Sequence, residues 1–247
     1  GLLAMTSCKN EPVQVIEKTS IEIVDGQYTP EIMHRLGKIS DPRISPSGEK
    51  VLYGVAYTDI EMNKSQRHLF LMNVDGSDNH QLTHLPKSVS NARWIDDSTI
   101  AFLMGGQIHV WNIFNGGTPL KVSDVENGIE GFELSGDCSQ VMYISRIQSA
   151  IRPTDEYPEV PKSTGRTIND LMYRHWDCFV ETIPHTYVAE FSLSKIGEGV
   201  DILDGAPYEL PTLPFGGMEQ LSWSPDGKYI AYSCRKLTGK EYAFSTN

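Results

Sequence analysis

Basic residues are scarce in this sequence: Lys and Arg number 21 against 32 Asp and Glu, a net charge of −11. With no cluster of them to neutralise phosphates, nucleic acid is excluded as a partner. The same deficit makes the surface a poor match for an anionic membrane. No run of 18 apolar residues occurs, so no helical segment is expected to span a bilayer. Cysteine is sparse too. Cys8, Cys138, Cys178 and Cys234 contain no Cys-x-x-Cys pair, which disfavours a thiolate zinc site. After Cys8 the count is odd; export would allow one disulfide of unspecified pairing, and buried free thiols are the simpler expectation. His80 and His84 lie in a strand-like segment that holds them far apart, and no carboxylate or Cys completes a ligand set. No metal or cofactor is therefore expected. Asn63-Lys64-Ser65 matches a glycosylation sequon, read here as chance.

What is present points to a folded, strand-rich chain. Apolar residues make up 39% of 247, enough to bury a core, and 21 Gly and 14 Pro are spread throughout as turn punctuation. The first residues, Gly1-Leu2-Leu3-Ala4-Met5-Thr6-Ser7-Cys8, run from an apolar stub through small residues to one Cys before the polar Lys9-Asn10-Glu11. That order resembles the end of a bacterial lipoprotein signal, with Cys8 as the lipid acceptor and Met5 where Leu is commoner. Residues 1–8 are set aside as this remnant and 9–29 as an N-terminal extension. The resemblance implies an exported, periplasmic or outer-membrane-anchored protein that meets the membrane only through lipid at Cys8. An ordinary secretory-signal remnant or a cloning scar is the other reading.

From residue 30 to 247 a repeat appears. Asp41-Pro42-Arg43-Ile44-Ser45-Pro46-Ser47-Gly48 aligns with Leu221-Ser222-Trp223-Ser224-Pro225-Asp226-Gly227. Ala92-Arg93-Trp94-Ile95-Asp96-Asp97-Ser98 and Phe132-Glu133-Leu134-Ser135-Gly136-Asp137-Cys138 align between them. In each, an apolar residue closes a strand; in the clearest unit Pro225 presets the turn, Asp226 bonds nearby backbone and Gly227 takes the left-handed corner. Strands rich in β-branched and aromatic residues follow, then a second strand such as His68–Asn73, Gln107–Asn112 or His185–Phe191. With Ile44, Trp94, Leu134 and Trp223 as anchors the spacings are 50, 40 and 89. The first two match a four-stranded antiparallel blade, the third a blade plus an insertion at about 146–184. The fold expected is all-β: a propeller of about four blades, its ring incomplete, the chain stopping partway through a sheet. The competing architecture is an irregular β-sandwich.

The Ser224-Pro225-Asp226-Gly227-Lys228-Tyr229 unit resembles the repeats of TolB-like proteins and of the prolyl oligopeptidase family. Arg174-His175-Trp176-Asp177, followed by Pro184-His185-Thr186-Tyr187-Val188, resembles the dipeptidyl-peptidase 5 and acylaminoacyl-peptidase branch. Cys178 and Phe179 depart from it, standing where an acidic residue and Trp are common. The resemblance implies a propeller capping a C-terminal α/β-hydrolase domain that carries Ser, Asp and His, with peptides as substrates. No Gly-x-Ser-x-Gly elbow occurs in the 247 residues, so the hydrolytic chemistry is assigned to the parent protein. The resemblance further implies carboxylates on the propeller side that hold the substrate's free α-amino group. Asp177 is the first candidate, Glu156 and Glu159 follow, and the alternative is that all three are solvated loop carboxylates. Arg174 and Trp176 either touch substrate or pin the insertion to the propeller. Against this non-catalytic exopeptidase propeller, gating access and reading peptide N-termini, stands a TolB-like lipoprotein whose propeller binds protein or glycan.

Overall fold

The computed structural model describes residues 15–148, 153–165 and 180–236. The chain divides into two compact units, Gly1–Ala92 and Arg93–Asn247.

In the first unit the sequence reading starts the propeller at residue 30, where the structure has a helix, α1 (Pro30–Arg35). Its signals are local. Thr29 Oγ1 accepts from the Ile32 N–H at 3.4 Å, Pro30 supplies the fixed φ of the first turn, and Glu31 faces the positive helix end. Four antiparallel strands follow: β1 (Lys38–Ile44), β2 (Lys50–Asp59), β3 (Lys64–Asn73) and β4 (His80–Gln81), hydrogen-bonded in chain order. The long hairpin pairs Lys50 with Asn73 through to Asp59 with Lys64. Alternation along the strands puts Tyr53, Val55 and Tyr57 on one face with Gln66, His68, Phe70 and Met72. Tyr53, Val55 and Tyr57 are buried there, with Ile16 packed on them, while Leu52, Leu69 and Leu71 are buried on the opposite face.

Strand β5 (Val89–Trp94) leads into the second unit, and β6 (Thr99–Met104), β7 (Gln107–Asn112) and β8 (Leu120–Lys121) complete its sheet. Gly105 and Gly106 join β6 to β7 with φ of +61° and +73°, the two left-handed residues that a tight hairpin turn demands. The next sheet runs β9 (Gly131–Leu134), β10 (Gln140–Gln148), β11 (Thr182–Glu190) and β12 (Val200–Asp201). A last hairpin pairs β13 (Leu221–Trp223) with β14 (Ile230–Tyr232). The described residues thus hold three four-stranded sheets and the first two strands of another, an incomplete propeller. Ile44, Trp94, Leu134 and Trp223, the anchors of the repeat, are the last residues of β1, β5, β9 and β13.

The repeated turn is built the same way three times. Ser45, Ser135 and Ser224 each accept, on Oγ, the backbone N–H five residues on, at 3.1, 3.0 and 2.9 Å. Ser135 and Ser224 donate in turn to Asp137 and Asp226 Oδ1, both at 2.7 Å. With Ser139 also donating to it, the exposed Asp137 carboxyl is held down at about 2. The left-handed corner falls to Gly48 (φ +78°), Cys138 (+54°) and Gly227 (+68°), so one blade carries Cys where the repeat asks for Gly.

Alternation along β10 divides the core of this unit. Val141 and Tyr143 enter one cluster with Leu103, Ile108, Val110 and Phe132. Met142 and Ile144 enter another with Leu203, Leu210, Leu221 and Trp223. Burying a side chain as large as Phe132, which is fully enclosed, stabilises by roughly 1.5–3 kcal/mol. Glu133 ties the first strands of three successive sheets together. Arg93 Nε donates to its carboxylate at 2.7 Å, and Trp223 Nε1 donates to its backbone oxygen at 3.2 Å. Cys138 and Cys234 are free thiols, each raised by burial.

Candidate functional site

The repeat places the insertion within the third sheet, and the structure shows which strands hold it. Strand β10 runs on to Gln148 and β11 begins at Thr182, with Arg146 opposite Pro184, so residues 149–181 connect the second and third strands of that blade. Arg146 clamps both strand ends. Its Nε meets Glu130 Oε1 at 2.5 Å, and its Nη1 donates to the Thr182 backbone and hydroxyl oxygens, each at 3.4 Å. Its own carbonyl accepts from Asn127 Nδ2 at 3.0 Å. Long side chains across a paired register suit this role because they bridge neighbouring strands on one face.

A buried histidine–carboxylate pair joins β11 to β12, a pairing that the sequence reading does not single out. His185, fully buried in β11, meets Asp201 Oδ2 through Nδ1 at 2.7 Å, and Asp201 Oδ1 accepts from the Leu203 N–H at 2.9 Å. A carboxylate only accepts, so Nδ1 carries a proton. The ring's Nε2 is buried and has no hydrogen-bond partner among the described residues. In the sequence His185 stands in the Pro184–Val188 segment, in the same alternation as Ile183, Tyr187 and Ala189, with nothing beside it that marks Asp201 as its partner. Next along this face, Tyr187 stacks on Tyr143 with centroids 5.4 Å apart and planes 13° off parallel. Burial raises both phenols. Thr186, on the other face, donates to the Leu210 carbonyl at 3.1 Å, and the Leu210 N–H donates to Pro184 O at 2.9 Å.

Of the candidates from sequence, Glu156 and Glu159 are placed. Residues 151–161 are expected to be irregular, and the structure has one helical turn there, α2 (Pro153–Glu156), opened by Pro153 with Asp155 and Glu156 as its acids. Glu156 ends that turn and Glu159 lies in the bend after it; both are exposed and neither has an ion-pair partner among the described residues. Asp177, Arg174, Trp176 and Cys8 lie outside the described residues. The structure therefore brings two of the three carboxylates onto one short segment of the insertion. Exposed, unpaired carboxylates retain full capacity to accept charge-assisted hydrogen bonds from an ammonium group. Among the described residues no group of three His, Cys, Asp or Glu side chains is placed to hold a metal.

No family model matches the chain. Among curated proteins, dipeptidyl-peptidase 5 of Porphyromonas gingivalis is 43% identical over 223 residues, covering 89% of this chain and 33% of that protein. Dipeptidyl-peptidase 5 of Porphyromonas endodontalis is 39% identical over 223 residues, covering 89% and 32%. The chain thus spans about a third of the length of the curated relatives it matches. Among solved structures, an acylaminoacyl peptidase from Pyrococcus horikoshii superposes with a TM-score of 0.51 at 18% identity, over 71% of this chain and 26% of that one. That likeness, at so low an identity, concerns the fold. Sheet order, repeat and superposition agree on an incomplete β-propeller. The chain is similar in sequence to the dipeptidyl-peptidase 5 proteins just described, and sequence and fold together support a propeller portion of a prolyl oligopeptidase family peptidase.

Proposed function

We propose that this chain is the non-catalytic propeller portion of an exported serine exopeptidase of the dipeptidyl-peptidase 5 type, which gates access and recognises the free N-termini of peptides. The observation that carries this reading is the 43% identity to a dipeptidyl-peptidase over 89% of the chain. The chain has no Gly-x-Ser-x-Gly elbow, so acyl transfer belongs to an α/β-hydrolase domain of the parent protein. Its own contribution is electrostatic. An unblocked substrate carries an ammonium group at its N-terminus, and a carboxylate accepts from it with roughly twice the strength of a neutral hydrogen bond. Asp177, in the Arg174-His175-Trp176-Asp177 run, is the anchor in this reading, and Glu156 and Glu159 add negative potential from the same insertion. Arg174 and Trp176 hold the insertion against the propeller. Lipid on Cys8 would keep the protein at the membrane of the exported compartment.

The test uses the full-length protein with Asp177→Asn, assayed on one dipeptidyl substrate with a free and with an acetylated N-terminus. A lost charge-assisted bond is expected to raise KM for the free substrate about 10- to 100-fold and to erase most of the preference for it. Glu156→Gln and Glu159→Gln should each act in the same direction and more weakly. An unchanged ratio of free to blocked substrate in Asp177→Asn removes that residue from the anchoring role.

A further inference from the structure

On the first sheet, two polar residues sit in the buried alternation of β3. Gln66 and His68 are two positions apart, on the face that holds Tyr53, Val55 and Tyr57, and they are 5% and 1% exposed. Their partners lie in the N-terminal segment. Gln66 Oε1 accepts from the Ile16 N–H at 2.8 Å, while Gln66 Nε2 donates to Leu85 O at 2.8 Å. His68 Nε2 donates to the Ile16 carbonyl at 2.7 Å. Both backbone polar groups of one residue are thus captured by two side chains, just as a neighbouring strand would capture them. The Ile16 side chain packs on the tyrosine cluster. One residue on, Glu17 Oε1 accepts from His84 Nδ1 at 2.9 Å, an exposed pair that adds little.

Each element fits a specific docking site. Burying Gln66 and His68 without partners would cost more than an apolar pair in the same places, so their presence is accounted for by the segment they bind. The recognition is of backbone, with one apolar side chain setting the register. We propose that Val15–Lys18 is a strap docked on the first blade through this Gln66–His68 clamp, and that the clamp is the point at which the N-terminal extension is fastened to the fold. The inference does not depend on lipid at Cys8. If that lipid is present, the eight residues from Cys8 to Ile16 reach at most about 29 Å, and the first blade is held beside the membrane.

Amide hydrogen exchange on the chain, read at Ile16 and along β2 and β3, tests the clamp. Ile16 should exchange at least about 10-fold more slowly than in an unstructured peptide, and Gln66→Leu should remove that protection. Because Gln66→Leu also strips a partner from Leu85, Ile16→Pro supplies a second variant that alters only the strap. It should raise tryptic cleavage after Lys18 about 10-fold while β2–β3 protection persists. His84→Ala should leave both readouts within twofold. Exchange at Ile16 as fast as in an unstructured peptide, or cleavage within twofold of wild type in Ile16→Pro, overturns the strap. A mass spectrum showing Cys8 without lipid ends the anchor reading and leaves the strap standing.

Discussion

If Glu133 ties successive blades together, a double-mutant cycle with Arg93 should show it. Arg93 and Glu133 side chains are 9% and 33% exposed, with Nε and Oε2 2.7 Å apart. For a fully buried pair, removing one partner costs about 3–5 kcal/mol because the other charge stays desolvated. A third of the Glu133 side chain meets water, which discounts the figure to about 2 kcal/mol. For a chain of this size that corresponds to a fall in Tm of about 4–8 °C for Glu133→Leu. Arg93→Met should cost less, since a carboxylate left behind at Glu133 can still reach solvent. The double variant should recover most of the loss, because an apolar pair of similar volume needs no partner, giving a coupling of about 1.5–2 kcal/mol. The bond from Trp223 runs to the Glu133 backbone and survives every variant. Urea denaturation of the four proteins supplies the measurement. A coupling below about 0.5 kcal/mol would refute the reasoning, and so would one that vanishes in 1 M salt, since buried pairs are weakly screened.

Two further outcomes follow from the blade geometry. The Asp137 carboxyl should titrate near 2 by NMR, against an ordinary value near 4, and Ser139→Ala should move it up. Its folded value is depressed, so the stability it contributes is present above pH 4 and is lost as pH falls through 2. At Gly199 a Cβ would run into the Tyr143 ring, 2.9 Å from Cζ, and Tyr143 is itself stacked on Tyr187. Gly199→Ala should therefore cost about 1–3 kcal/mol in thermal denaturation, and Tyr143→Phe in the same background should restore part of it. Full stability in Gly199→Ala would contradict this packing.

Much of the architecture is legible in the sequence because it is locally encoded. Ser-Pro-Asp-Gly specifies its own turn, and an apolar residue before it marks the strand end, so Ile44, Trp94, Leu134 and Trp223 locate four first strands without reference to the rest of the chain. The blade whose corner is Cys138 still aligns, since Ser135 and Asp137 carry the hydrogen bonds. Helix α1 is missed although Thr29-Pro30-Glu31 is a start signal, because six residues are too few to show helical periodicity. Gln66 and His68 read as ordinary strand residues until Ile16 is placed beside them, 50 and 52 positions away. The His185–Asp201 pair is hidden for the same reason: the contact joins two strands across 16 residues. Of the candidate site, its position between strands is legible from the anomalous spacing of 89, whereas which carboxylates it presents depends on loop conformation that no short-range rule fixes.

The central claim is that this propeller belongs to an enzyme that reads free N-termini. The most direct measurement is kcat/KM of the full-length protein on one dipeptidyl substrate, free and N-acetylated. The account predicts at least a 10-fold preference for the free form, the worth of a charge-assisted bond that only the ammonium can make. Equal rates, a preference for the acetylated form, or no hydrolysis of either would contradict it.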